Sequence, residues 1–294
     1  MKISGLIIAS DGENKKGMID LIDIPFYGGN KYLMKDKILS PSIKLVNGDP
    51  LISASIKAMG QAAVITDLVI VGRLQQCEQL ENLAEKYSNN KPFKVIPNEG
   101  HIGETVAIGA QNISLLGYFF ILQPDLPFVS GNAVDEAALE ILAKASPDIS
   151  IYFPVIDKEF FRMYSQGWSR PFFLELTNGS TNKYKSLDFV IADSARINPE
   201  FVRKFYNIRM IRSLKGKINA FREFPKYVPQ SLLRYAGKRL TFQHLEEIGS
   251  ELNGNNIRII QLTNHYASSF MKDIDTKLDY QTYLRAIAEP KNQL

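Results

Sequence analysis

Cysteine is nearly absent from this chain of 294 residues, and Cys77 is the only one. One thiol excludes an intrachain disulfide framework and a zinc site built on cysteine ligands. It also suits a reducing compartment, and no apolar leader precedes the first polar residues, so the cytoplasm is the expected location. Histidine is scarce as well. His101, His244 and His265 stand far apart in the sequence, which does not indicate a metal cluster.

Long apolar runs and blocks of like charge are also missing. No stretch reaches the roughly 18 consecutive apolar residues that a membrane helix requires. The net charge is only +4, and basic residues alternate with acids, so neither a membrane nor a nucleic acid is an expected partner. Apolar residues make up 45% and charged residues 22%, which is enough for a sizeable core in a globular chain.

Short apolar runs alternate with helical patterns through the first half of the chain. Buried strands are expected at residues 3–10, 67–72, 93–97, 118–122 and 149–155. Helices are expected at residues 50–63, 75–88, 103–115 and 133–145, the last of them capped by Ser130. This alternation predicts an α/β fold with a mostly parallel, doubly wound, Rossmann-like sheet.

The pattern changes in the second half. Residues 171–194 read as a β-excursion, with two β-rich arms around Thr177-Asn-Gly-Ser. Residues 199–252 are expected to be largely helical, with interruptions at Pro225, Pro229 and Gly237 and with Thr241 capping the last helix.

The chain is expected to end with one more strand and one more helix. Residues 256–262 predict a strand that returns to the first sheet, because it is too apolar to stand alone, and residues 275–288 predict the terminal helix. We therefore predict a single domain with residues 1–155 and 156–294 as its two halves.

Polar residues follow three of the predicted strands. They are Ala9-Ser10-Asp11-Gly12, the stretch from Asn98 to Glu104, and Gln123-Pro124-Asp125. Ligands of open α/β sheets bind at the carboxyl ends of the strands, so these three tips should converge on one edge. Taken alone, residues 10–12 have the composition of an ordinary turn. Residues 98–103 are compatible with a simple helix start, although free N–H groups there would suit a phosphate or a ribose.

Two acidic features indicate a metal site. Asp125 lies between Pro124 and Pro127 and either shapes a turn or holds Mg²⁺ against substrate phosphates. Asp273 and Asp275 lie near the C-terminus, where Asp275 or Thr276 can cap the last helix. Capping and metal binding are compatible, and a second carboxylate beside Asp125 would complete a Mg²⁺ site.

Six segments, taken in order, resemble the MobA-like nucleotidyltransferases, which have a GT-A-type α/β fold. The segments are GLIIASDG (5–12), SIKLVNGDPLISASIKAM (42–59), DLVIVG (67–72), NEGHIGETVAIGAQ (98–111), ILQPDLPFVSGNAV (121–134) and DIDTKLDYQTYL (273–284). The resemblance implies Mg²⁺-dependent transfer of a nucleotidyl group from an NTP to a small phosphorylated acceptor, such as a sugar, polyol or cofactor phosphate. Pyrophosphate would be released.

The resemblance also implies a role for each matching residue. Asp125 would bind Mg²⁺ next to the α-phosphate, with Asp275 as its partner and Asp273 as the alternative. Lys44 would offset the charge of the phosphates. The remaining nucleotide contacts are implied for Ala9, Ser10, Asp11, Gly12, Asn98, Gly103 and Glu104.

Several positions depart from the family pattern. Ser10-Asp11 replaces paired glycines, Gln-Pro-Asp replaces Gly-Asp at residue 125, and the loop before Lys44 is long. These departures are those of a relative with lost or altered activity, so a non-catalytic protein that binds ligand in the same cleft is the main alternative. A GT-A glycosyltransferase is a further one. The sequence leaves the oligomeric state open, with a homodimer as one option.

Overall fold

The computed structural model describes residues 2–9, 45, 47–100, 102–114, 116–160, 174–177, 181–208, 224–274 and 277–288. Its strands are β1 (Ile3–Ile8), β2 (Ile65–Gly72), β3 (Phe93–Pro97), β4 (Tyr118–Leu122), β5 (Ile149–Asp157), β6 (Leu174–Thr177), β7 (Thr181–Ser186), β8 (Phe189–Asp193) and β9 (Asn256–Gln261). Its α-helices are α1 (Ile52–Gln61), α2 (Cys77–Tyr87), α3 (Ile102–Asn112), α4 (Gly131–Leu142), α5 (Pro199–Ile208), α6 (Tyr227–Ala236), α7 (Phe242–Asn253) and α8 (Lys277–Ala288). Short 3₁₀ helices cover Leu74–Gln76 and His265–Met271.

All nine of these strands belong to one sheet, in the order β3-β2-β1-β4-β8-β5-β7-β6, with β9 also paired to β5. β1 pairs in parallel with β2 on one side and with β4 on the other, and β2 pairs in parallel with β3. The chain therefore moves outward from β1 in one direction and then continues on the opposite side. This confirms the Rossmann-like α/β fold, and it places a topological switch point between β1 and β4.

An antiparallel strand divides the sheet. β8 lies between β4 and β5 and is antiparallel to both, with Phe120 opposite Ile191 and Ile151 opposite Ala192. The predicted β-excursion is confirmed in that β6 and β7 pair as antiparallel neighbours, but its last part inserts into the middle of the sheet. The predicted return of the C-terminal strand is also confirmed, because β9 pairs in parallel with β5.

Apolar layers cover both faces of the sheet. Every residue of β1 is buried, as expected for a strand between two helical layers. One layer is formed with α1, α2 and α4, which contribute Ile56, Leu80 and Val134. The other layer is formed with α3 and α5, which contribute Val106 and Phe201. The sheet is therefore covered on both sides, as the doubly wound prediction required.

Local signals in the sequence placed several helix ends correctly. The Ser130 and Thr241 hydroxyls accept hydrogen bonds from the backbone N–H groups of Ala133 and His244, so both predicted N-caps are confirmed. The predicted break at Pro229 is wrong. Pro229 lies in the first turn of α6, where a proline costs no intrahelical hydrogen bond. None of the described helices combines the length and apolarity that a bilayer span requires.

Candidate functional site

Asp125 lies three residues after the end of β4, at the switch point, and the residue is only 7% exposed. The turn that carries it is held from two sides. The Ser55 hydroxyl on α1 donates to the carbonyl of Gln123 at 2.9 Å. The backbone N–H of Gln123 donates to the carbonyl of Asp188 at 3.2 Å. The main chain just before Asp125 is therefore held by α1 and by the residue that precedes β8.

The C-terminal segment meets Asp125 directly. The backbone N–H of Ile274 donates to the carbonyl of Asp125 at 3.1 Å. Asp273, the residue before Ile274, is only 4% exposed. The main chain that carries Asp273 thus meets the main chain of Asp125, although the two residues are 148 positions apart in the numbering of the sequence. The preferred partner, Asp275, lies outside the described residues, so its pairing with Asp125 stays a prediction.

Aromatic packing places the C-terminal segment at this edge. The ring of Phe270 lies 4.4 Å from that of Phe189 on β8 and 6.2 Å from that of Phe120 on β4, measured between ring centroids. The backbone N–H of Asp188 also donates to the Phe270 carbonyl at 3.0 Å. These contacts hold the end of the 3₁₀ helix against β4 and β8, and the next three residues then reach Asp125.

The donor set suits magnesium. Mg²⁺ is usually held by one or two carboxylates together with substrate phosphates and water, and Asp125 and Asp273 can provide the two carboxylates. Within the described part of the chain, no three His, Cys, Asp or Glu side chains come together as a complete protein-only metal site. A metal in this cleft would therefore rely on oxygen ligands from the substrate.

A lysine that the sequence did not single out lies in the same junction. Lys272 directly precedes Asp273, and its Nζ lies 5.4 Å from the centroid of the Phe128 ring, in the turn that follows Asp125. Burial lowers the pKa of the Lys272 ammonium below its usual value. A half-buried cation thus lies beside the turn that follows Asp125.

The tip of β1 reaches the same edge from the other side of the switch point. Ala9 is fully buried, and its backbone N–H donates to the Val71 carbonyl at 2.8 Å, which extends the pairing of β1 with β2. Ser10, Asp11, Gly12 and the predicted phosphate-binding Lys44 lie outside the described residues. Their roles stay predictions.

The turn that leads into α1 is held against the end of α2. Asp49 accepts hydrogen bonds from Tyr87 Oη and from Asn47 Nδ2, and it forms a salt bridge of 3.2 Å with Lys86 Nζ. Gly48 adopts a positive φ of 84°, a conformation that suits glycine in this tight turn. The Asn-Gly-Asp stretch is therefore fixed between the two helices.

The tip of β3 is already hydrogen-bonded within itself. Asn98 Oδ1 accepts from the backbone N–H of Gly100 at 3.0 Å, and its Nδ2 donates to Thr105 Oγ1 at 2.8 Å. Gly103 is buried in the first turn of α3, whereas Glu104 is exposed there.

The carboxylate of Glu104 folds back over this loop. A side chain at position 100 would meet Glu104 Oε2, so the flexible end of Glu104 would have to shift to make room for it. An acid in the first turn of a helix is favoured by the helix dipole. A phosphate bound at the start of α3 would have to displace this carboxylate. The geometry therefore suits the ribose or base side of a nucleotide better than its phosphates.

Comparison with solved structures identifies the fold. A hypothetical transferase from Thermus thermophilus superposes with a TM-score of 0.62 at 18% identity, covering 95% of this chain and 100% of that one. The CMP:2-keto-3-deoxy-manno-octonic acid synthetase in complex with CTP superposes with a TM-score of 0.55 at 12% identity, covering 99% of this chain and 100% of that one. These similarities show the fold.

A 4-diphosphocytidyl-2C-methyl-D-erythritol synthase from Anaerococcus prevotii is a third similar structure, with a TM-score of 0.50, 9% identity and 98% coverage of both chains. No family model and no curated protein sequence matches the chain. The fold is therefore shared over nearly the whole length, while the sequences have diverged widely.

Proposed function

We propose that this chain is a divergent MobA-like nucleotidyltransferase. It would transfer a nucleotidyl group from an NTP to a small phosphorylated acceptor in a Mg²⁺-dependent reaction and release pyrophosphate. One observation carries the proposal: the Asp125 turn at the switch point is hydrogen-bonded to the segment that contains the buried Asp273. The likeness to a CMP-sugar-acid synthetase whose structure contains CTP supports it.

The reaction needs alignment more than a covalent nucleophile. An oxygen of the acceptor phosphate attacks the α-phosphorus of the NTP, a new P–O bond forms, and the bond to the β-phosphate oxygen breaks as pyrophosphate leaves. Bound Mg²⁺ would neutralise negative charge on the phosphates. Asp125 and Asp273 or Asp275 would hold it, and Lys44 would compensate the remaining charge.

Thermal stabilisation by each of the four common NTPs, with and without Mg²⁺, tests the binding step. A ligand that binds only the folded state raises the apparent stability by RT ln(1 + [L]/Kd), which is about 2.7 kcal/mol at a hundredfold excess over Kd. We expect a Mg²⁺-dependent rise in Tm for at least one NTP, and we expect Asp125→Asn to remove the metal-dependent part. No shift with any NTP at millimolar concentration would contradict the proposal.

Asp67→Asn is the matched control. Asp67 is 5% exposed, close to the 7% of Asp125, but it lies near the start of β2 at the opposite edge of the sheet. The substitution Asp67→Asn should lower the Tm of the free protein but leave the rise in Tm caused by Mg²⁺-NTP unchanged.

Release of pyrophosphate separates the enzyme from a binding protein with the same fold. We expect release with Mg²⁺, the stabilising NTP and one member of a panel of sugar and polyol phosphates. Asp125→Asn should slow it by roughly a hundredfold or more, the scale on which single electrostatic groups contribute to catalysis. Stabilisation by NTP without release for any acceptor would favour the non-catalytic alternative.

A further inference from the structure

Strand β9 lies at a border of the sheet. Among the described strands it pairs only with β5, in parallel, from Asn256 to Gln261. The side of β9 that faces away from β5 therefore has no strand partner in the described part of the chain. An open edge of this kind can pair with a strand of another molecule, and natural sheets cover or block such edges.

The backbone N–H groups along β9 alternate in direction. The N–H of Leu262, directly after the strand, donates to the Val155 carbonyl of β5 at 2.9 Å. Because alternate residues of a strand point their N–H groups to the same side, those of residues 258 and 260 also face β5. The N–H groups of Ile257 and Ile259 therefore belong to the outer edge.

Helix α7 provides a side-chain acceptor for each of these two donors. The N–H of Ile257 donates to Ser250 Oγ at 3.0 Å, and the N–H of Ile259 donates to Glu246 Oε1 at 2.7 Å. The two acceptors are four helical residues apart, a rise of about 6 Å, and the two donors are two strand residues apart, about 6.6 Å. The helix and the strand run in opposite directions, so the spacings match. Arg258 Nε lies 3.6 Å from Glu246 Oε1 and helps to orient this carboxylate.

The fold holds α7 close beside β9. Gly254 ends the helix with a positive φ of 74°, and β9 begins two residues later at Asn256. Gly249 is buried against the strand, and a Cβ at this position would force the Ile257 side chain to shift. The short connection and the close approach at Gly249 therefore keep the two acceptors within reach of the strand edge.

The composition of β9 makes an open edge a liability. Its six residues, Asn-Ile-Arg-Ile-Ile-Gln, include three isoleucines and a single charge, which is the composition of a strand that associates readily. A carboxylate bonded to the edge occupies one of its donors and would repel the carbonyl oxygens of an incoming strand. The two side chains of α7 therefore act on the availability of this edge.

We propose that Glu246 and Ser250 block the outer edge of β9 from pairing with the same edge of a second copy of this chain. An antiparallel contact between two copies of β9 would satisfy the outer donors and acceptors of both, because one edge is the complement of the other across a twofold axis. The inference is independent of the proposed function, since this edge requires no ligand.

Sedimentation velocity of the full chain over a wide range of protein concentration tests the proposal. The double variant Glu246→Ala/Ser250→Ala removes both acceptors. The double variant Glu246→Gln/Ser250→Thr keeps an oxygen acceptor at each position. Glu247→Ala removes the exposed acid next to Glu246 on the same helix and is the matched control.

We expect the variant without both acceptors to associate more strongly than the parent protein, with an association constant raised roughly tenfold or more. The variant that keeps an acceptor at each position and the Glu247→Ala control should sediment like the parent. If the variant without acceptors also sediments like the parent at every concentration, the proposal is wrong.

Amide hydrogen exchange identifies the surface that associates. Peptides that cover residues 256–261 should exchange more slowly in the concentrated variant than in the same variant diluted to its unassociated form. Peptides that cover β1 should exchange alike in both samples, because the fold is unchanged. Association without added protection in residues 256–261 would place the contact on another surface and overturn the proposal.

The single variant Glu246→Ala provides a milder test if the double variant does not fold. It leaves the Ser250 acceptor in place and frees only the N–H of Ile259, so it should show the same association to a smaller extent. Its circular dichroism and Tm report whether the fold is retained. A folded Glu246→Ala protein that associates no more than the Glu247→Ala control would contradict the proposal.

Discussion

Asp67 and Asp125 are both buried acids, but they face opposite edges of the sheet and have different surroundings. Asp67 accepts hydrogen bonds from Ser4 Oγ at 2.7 Å, from Thr66 Oγ1 at 2.8 Å and from the backbone N–H of Ser114 at 3.1 Å. It thereby joins β1, β2 and the loop after α3. These three hydrogen bonds give Asp67 a structural role that requires no ligand.

Asp67→Asn should destabilise the protein by about 2 kcal/mol at pH 7, because an amide cannot accept all three hydrogen bonds. Burial opposes ionisation, but the hydrogen bonds from Ser4, Thr66 and Ser114 outweigh it and lower the pKa of Asp67 below 3.8. The folded state therefore favours the ionised form. This contribution is complete above the pKa of an unfolded Asp and is lost as the pH falls through the folded pKa.

Urea unfolding of the parent protein and of Asp67→Asn at two pH values measures this effect. About pH 7 lies well above the reference Asp pKa of about 3.9, and about pH 3.5 lies below it. The stability difference between the two proteins should be smaller at the lower pH. A difference that stays constant or grows as the pH falls would show that Asp67 is not held as a carboxylate.

The sequence predicted the position of Asp125 after a buried strand but not the burial of Lys272, for physical reasons. Asp125 follows a short apolar run, and the end of a buried parallel strand is a recurrent ligand position. A lysine before an acid usually belongs to a solvated surface. The burial of Lys272 depends on Phe128, a residue 144 positions earlier in the numbering, and no local pattern encodes that contact.

At the scale of elements, helix α4 fixes two distant segments through two acids. Asp135 accepts from the backbone N–H groups of Ala63 and Val64, both at 2.8 Å, just before β2. Glu140 accepts from the Thr263 backbone N–H at 3.2 Å and from Asn264 Nδ2 at 2.8 Å. One helix therefore positions both the entry to β2 and the segment that leads to Asp273.

Glu140→Gln should destabilise the fold by about 1–2 kcal/mol, because the new amide N–H₂ would face a donor at Asn264 or Thr263. Amide hydrogen exchange should become faster in residues 263–274 and change little elsewhere. Asp135→Asn is the matched control on the same helix, and it should accelerate exchange in residues 62–65 instead. Identical exchange patterns in the two variants would show that α4 does not hold the two segments separately.

The sequence did not predict the position of β8 within the sheet. Its residues have the composition of a strand, and the β-excursion was expected, but the partners of a strand are set by contacts across the fold. Phe189 stacks on Phe120 with ring centroids 4.6 Å apart, which stabilises β8 next to β4. Helix positions were easier to predict because their periodicity and caps are local, as Ser130 and Thr241 show.

At the scale of the whole molecule, burial is unevenly distributed. β1 is buried along its entire length and pairs on both sides, whereas α6 exposes Leu232 and Leu233 by 50% and 74%. We expect amides of residues 3–8 to exchange only through global unfolding and those of residues 231–236 to exchange fastest among the described helices. Exchange followed by mass spectrometry measures both, and slow exchange in α6 would mean that this helix is covered in solution.

The position of β8 has a consequence for the order in which the chain can assemble during synthesis. The parallel pairings among β1, β2, β3 and β4 can form as soon as residue 122 has left the ribosome, whereas the other side of β4 must wait for its antiparallel partner β8. β5 has no such option, since its neighbours β7, β8 and β9 are all synthesised after it. The nascent protein should therefore carry four paired strands, with one side of β4 still unpaired, until β8 emerges. The Asp125–Ile274 hydrogen bond can form only in the last stage, so the junction between the Asp125 turn and the C-terminal segment would be among the last contacts to form.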